Sequence, residues 1–271
     1  MIDHCKRRAA QAVALVAFAA LVGNGPAFAQ PAAASAAAAA ATARTWAVVS
    51  LIGDEFSVVS RRNQVGSRLD PNERTPLPVP DPVFDRIAAE QVEQLLLRAR
   101  PGTPVLRALI RDPRLFALQD KLWTESAESH DMRIALRDTL AKAGATDLLL
   151  VTKHRGTPSF KLVTGRFDRP GSLSGIGFYI DNDTKLYRVD NKLEDEGFLA
   201  PYAYLAISSM EVASMRLVKT RYALETTIAQ GVQQGVTSHA WDALTPKQKV
   251  DALDGVIRRA IGTGMAEMTF E

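Results

Sequence analysis

Residues 147–152 read DLLLVT, four consecutive aliphatic side chains with no polar position among them. Such a short run suits a central β-strand buried on both faces. Successive side chains on a strand alternate, so Leu148 and Leu150 face one layer and Leu149 and Val151 the other. A helix over about Met132–Ala143 precedes it, with Ile134, Leu136 and Leu140 on its apolar face. Gly144 stands where a left-handed C-terminal cap belongs.

The rest of the chain is read around that strand. Trp46–Ile52 and Phe56–Ser60 are β-branched runs, and Gly53-Asp54-Glu55 between them predicts a hairpin. Arg61–Pro80 is polar and carries Pro71, Pro76, Pro78 and Pro80, which predicts a long loop. Asp81-Pro82 is a helix start, followed by apolar residues at helical spacing from Val83 to Leu96 and a stop at Pro101-Gly102. Val105–Ile110 reads as a short strand or the start of another helix, with strand the favoured reading. Asp112-Pro113 starts a second helix, running to about Trp123. Strands follow at Ser159–Thr164, Gly175–Ile180, Lys185–Val189, Ala203–Ser209 and Met215–Thr227, and Thr245-Pro246 opens a closing helix through about Ile261. The expected fold is α+β (mixed α/β): a predominantly antiparallel sheet with three to four packed helices, forming one domain over residues 44–271.

The first 29 residues have the layout of a Sec-type signal peptide. Lys6, Arg7 and Arg8 precede the apolar stretch Ala9–Val22, and Ala27-Phe28-Ala29 gives the small-x-small pattern for cleavage before Gln30. Fourteen helical residues reach about 21 Å, short of a ~30 Å hydrocarbon core, so the expectation is cleavage and no transmembrane helix afterwards. Residues 30–43 are an Ala-rich linker. The full chain has 33 basic and 30 acidic residues; without Lys6, Arg7, Arg8 and Asp3 these become 30 and 29, a net charge of +1. A nucleic-acid partner is therefore not expected. Cys5 lies upstream of the apolar stretch, so no lipid attachment site is present, and the processed chain has no thiol. The destination expected from these features is the periplasm.

No catalytic motif emerges. His130, His154 and His239 lack metal-ligand spacing, and no G-x-S-x-G or P-loop is present. Asp181-Asn182-Asp183 opens like a calcium loop but has Leu186 where Gly is required and Lys192 where Glu is required. Gly171–Gly177 resembles a phosphate cradle but leads into a strand pattern rather than a helix. No metal and no cofactor are expected. Charge is distributed in blocks: Lys153, Arg155, Lys161, Arg166 and Arg169 form a basic run, and 181–196 reverses the sign. These five basic residues are the candidate binding face for an acidic envelope protein or cell-wall component.

Trp46–Leu51 as a first strand, Ala143–Val151 as a Gly-Ala-Thr-Asp entry into a buried strand, and a closing hairpin over Tyr204–Val212 and Met215–Leu224 together resemble a periplasmic α/β module. It is shared by the curli secretion-pore lipoprotein, the lipoprotein activators of penicillin-binding proteins and the TolB amino-terminal domain. The resemblance covers about residues 45–228 and implies an accessory envelope role without catalysis. The alternatives are a periplasmic hydrolase built from Asp147, His154 and the Ser172/Ser174 loop, or a small-ligand binder using a pocket between sheet and helices.

Overall fold

Leu148, Leu149, Leu150 and Val151 are fully buried in β5 (Asp147–Lys153), flanked by β1 (Trp46–Ser50) on one side and β10 (Glu194–Glu211) on the other. The computed structural model describes residues 44–61, 70–123, 126–162, 165–187, 194–233, 240–268 and 270. The signal segment, the linker, His239 and part of the acidic run lie outside the described residues.

Burial of β5 on both faces demands a layer on each. Leu149 and Val151 meet α1 (Val83–Ala99) and α4 (Pro246–Ala266) through Phe84, Val92, Leu96, Val256 and Ile257. Leu148 and Leu150 meet the segment after β4 (Val105–Leu109), that is α2 (Pro113–Leu118) and α3 (Ala127–Lys142), through Leu115, Met132, Leu136 and Leu140. Each fully buried leucine is worth about 1.5–3 kcal/mol. The expected helix punctuation is largely present. Asp112 caps α2 by accepting from the Arg114 N–H, Gly144 adopts φ +82°, and Thr245 with Gln248 closes a capping box on α4. α2 stops at Leu118 rather than near Trp123, and α3 starts at Ala127, capped by Ser126, rather than at Met132. α1 begins at Val83, with Pro82 rather than Asp81 at its cap.

The fold is α+β, but the sheet is mixed, not predominantly antiparallel. β1 runs parallel to β4 and β5, and β2 (Glu55–Arg61) runs parallel to β9 (Leu173–Tyr187). The helices between them supply the crossovers that parallel pairs require. The hairpin expected at Gly53-Asp54-Glu55 does not form: β1 sits beside β5 while β2 sits beside β9 and β3 (Asn72–Pro78). The physical cause is Asp85 in α1. It is buried, and its Oδ1 accepts from Ser50 Oγ at 2.7 Å, Ile52 N–H at 2.9 Å and Gly53 N–H at 3.1 Å, pinning the chain where it would have to reverse. A Cβ on Gly53 would lie 2.6 Å from Asp85 Oδ2. The segment expected to be loop contains β3, an edge strand in which Pro76 and Pro78 are tolerated because they owe no outward hydrogen bond.

β10 is the spine. One of its edges pairs with β9 and then β5; the other pairs with β12 (Gln230–Gln233) and then β11 (Arg216–Thr226). A β6 stub (Arg155–Gly156) continues β5 onto β9. Outside this sheet, β7 (Ser159–Leu162) and β8 (Gly165–Asp168) form a separate two-stranded hairpin. Phe160 of β7 is fully buried in a third apolar cluster with Tyr179, Phe198, Tyr202 and Tyr204, and Phe167 of β8 packs against it. No helix among the described residues is long and apolar enough to cross a membrane.

Candidate functional site

The two-residue period of β7 and β8 decides where the basic run goes. With Phe160 and Phe167 turned inward, Lys161 and Arg166 turn outward, and the register sets them directly opposite each other. Like charges facing across strands are destabilising. Neither side chain has an ion-pair partner among the described residues, and both are exposed.

The other three members of the run are placed differently. Lys153 is mostly buried, its Nζ 2.6 Å from Asp54 Oδ1 and 3.5 Å from Glu55 Oε1, and its N–H donates to Gln119 Oε1 at 2.8 Å. Gly175, at φ +66°, makes room for its stem: a Cβ there would lie 2.9 Å from the Lys153 Cγ. Arg169 lies over the Phe167 ring and donates to Asp181, 3.2 Å away, and to Thr184. Burial of Asp181 raises its pKa, but the hydrogen bonds it accepts from Thr184 and Asp183 and the charge of Arg169 outweigh burial and leave it lowered. Arg155 is exposed and stands 3.6 Å from Asp70. The five residues are therefore not equivalent: Lys153 and Arg169 are locked in internal ion pairs, while Lys161 and Arg166 have none among the described residues.

The start of β7 meets the end of the outer strand of the hairpin β10–β11. The hairpin β7–β8 is tied to it by Thr226 Oγ1, which donates to the Ser159 carbonyl at 2.6 Å. Alternate β11 residues face opposite sides. Ala223 is buried against α4, whereas Tyr222 and Leu224 are 61% and 39% exposed on the other face, and Val218 is 56% exposed. His154 stacks on Tyr222, centroids 4.2 Å apart at 29°. Desolvation lowers the His154 pKa, only partly opposed by Asp120. β11 pairs only with β10 among the described residues, so its outer backbone edge is open.

Of the residues named for the hydrolase alternative, Asp147 begins β5 and His154 follows its end, about 23 Å apart at ~3.3 Å per residue; Ser172 donates to Asp70, and Ser174 pairs with Arg155, next to His154. A concavity sits at the carboxyl ends of β1 and β4. It measures ≈ 340 Å³ and is lined by Asp54, Val79, Asp85, Ile110, Arg111 and Phe116, among others. Asp85 and the β11 stripe escape sequence reasoning. An acid in a helix's first turn is ordinary, and the period of two in β11 does not say which face a helix will cover.

The sequence matches no family model, and no curated protein matches it. Among solved structures, a neuraminyllactose-binding hemagglutinin homolog from Helicobacter pylori aligns over 83% of this chain and 86% of its own at 10% identity. Its TM-score of 0.34 is too low to bear on fold or function.

Proposed function

We propose that this chain is an exported, non-catalytic accessory protein of the cell envelope that works by binding an extended, acidic segment of another envelope protein. The observation that carries the reading is the unpaired Lys161–Arg166 couple, held outward on a hairpin whose inner face is anchored by Phe160 and Phe167. Two cations facing each other cost stability unless an anion comes between them. The β11 edge, which has no second partner strand among the described residues, suits strand addition, with Tyr222 and Leu224 beside it for the apolar side chains of such a segment. The signal-like N-terminus and the resemblance of Ala143–Val151 to periplasmic modules support the location.

Exposed charge contacts are individually worth about 0.2–1 kcal/mol, and screening shortens from about 10 Å at 0.1 M salt to 3 Å at 1 M. Binding should therefore be strongly salt-dependent. The test uses two fluorescent ten-residue peptides, one alternating Glu and Val and one alternating Lys and Val. The reading expects the Glu peptide to bind, to weaken with salt, and to be lost in Lys161→Glu/Arg166→Glu, which instead gains the Lys peptide. Equal binding of both peptides, or an unchanged profile in the double variant, contradicts it.

A further inference from the structure

The cleft at the carboxyl ends of β1 and β4 is independent of the docking face. In sheets with parallel strands and covering helices, this is the edge where ligands collect. At ≈ 340 Å³ it stands at the lower end of the ~300–1,000 Å³ range of small-molecule sites, so its occupant is small.

Its polar groups are asymmetric. Asp85 is 2% exposed yet lines the cleft. Its Oδ1 is saturated by Ser50, Ile52 and Gly53, whereas no described donor reaches Oδ2. Gly53, whose N–H Asp85 holds, lines the cleft beside it. No cation among the described residues balances this carboxylate; the nearby Asp54 already has Lys153. Arg111 also lines the cleft and is exposed, with no ion-pair partner among the described residues. Besides Gly53 and Asp54 the remaining lining is apolar, made by Val79, Ile110, Phe116 and Ala117 with the neighbouring prolines.

We infer that this cleft binds a small α-amino acid with an apolar side chain, its ammonium on Asp85 Oδ2, its carboxylate on Arg111 and its side chain against Phe116 and Ile110. An acceptor-only carboxylate calls for a donor, and a cationic donor restores the charge balance that burial denies it. A guanidinium presents paired N–H groups to a carboxylate. Both ends of an amino acid are thus matched, and a molecule lacking either end leaves one wall unanswered.

The experiment is calorimetric titration with three probes: L-leucine, 4-methylpentanoate, which lacks the amine, and isoamylamine, which lacks the carboxylate. Leucine should saturate the site, and each truncated probe should bind about tenfold more weakly or worse, equivalent to about 1.4 kcal/mol. Asp85→Asn keeps the Oδ1 acceptor and should bind leucine no better than the parent binds 4-methylpentanoate. Arg111→Ala, on the surface and free of folding consequences, should bind leucine no better than the parent binds isoamylamine. Lys161→Glu/Arg166→Glu should bind leucine like the parent, which separates this site from the docking face. Absence of saturable leucine binding, equal affinity for all three probes, or leucine binding untouched by Arg111→Ala overturns the inference.

Discussion

Replacing Phe160 with alanine should release the β7–β8 hairpin while leaving the rest of the fold standing. Phe160 is fully buried, with its ring centroid 5.4 Å from Phe167, 4.8 Å from Tyr179 and 5.2 Å from Phe198. Removing such a ring costs about 3–5 kcal/mol. The hairpin belongs to no other sheet, and apart from its apolar contacts two hydrogen bonds tie β7 to other strands among the described residues: Ser159 N–H to Tyr204 Oη and Thr226 Oγ1 to Ser159 O. At about 0.5–1.5 kcal/mol each, they contribute less than the substitution removes. The opening free energy of this segment should collapse, raising amide exchange over residues 159–168 by about two to three orders of magnitude. Exchange at Leu149–Val151, in the core strand, should stay as slow as in the parent. Binding of the acidic peptide should fall although Lys161 and Arg166 are untouched, because their outward placement depends on the anchor. If exchange over 159–168 is unchanged, the hairpin is not held by Phe160 and the argument for its role fails. If β5 exchanges equally fast, the hairpin is not a separate unit.

Three further outcomes follow from the same structure. Leu149→Asp puts a carboxylate between β5 and the α1/α4 layer and should cost several kcal/mol out of the ~5–15 of a typical domain; a melting temperature within a degree or two of the parent contradicts the central placement of β5. Burial raises the Asp85 pKa above its ordinary 3.8, against the hydrogen bonds from Ser50, Ile52 and Gly53, so the stability Asp85 contributes is full below 3.8 and is lost as pH rises through the raised value. Asp85→Asn should accordingly melt at or above the parent at pH 7, an advantage that shrinks in acid, and a deficit that grows with pH would refute the sign. Mass spectrometry of the exported chain should find Gln30 as its first residue, and intact Met1 in washed membranes would refute processing.

What could be read in the sequence was whatever local chemistry decides. The aliphatic run of β5, the left-handed Gly144, the Asp112-Pro113 and Thr245-Pro246 helix starts and the β10–β11 hairpin all depend on residues near one another in the chain. The parallel pairings do not. Gly53-Asp54-Glu55 has turn chemistry, yet a carboxylate 32 residues away in sequence from Gly53 holds the segment and sends β2 to β9 instead. The same distance effect divides the basic run. Lys153 meets Asp54 and Arg169 meets Asp181 only after folding, while the alternation of Phe160 and Phe167 with Lys161 and Arg166 was already written locally. A charge count sees five equivalent cations, and the fold leaves two of them jointly unanswered.

The central claim is that the β7–β8 and β11 surface docks an acidic polypeptide in the envelope. Its most direct test is photo-crosslinking in intact cells from position 222, beside the open β11 edge, against position 97, an exposed residue of α1. The account predicts a discrete adduct from 222 alone, whose crosslinked peptide is net acidic, and its disappearance in Lys161→Glu/Arg166→Glu. Equal adducts from both positions, a net basic peptide, or an adduct that survives the double reversal would contradict it.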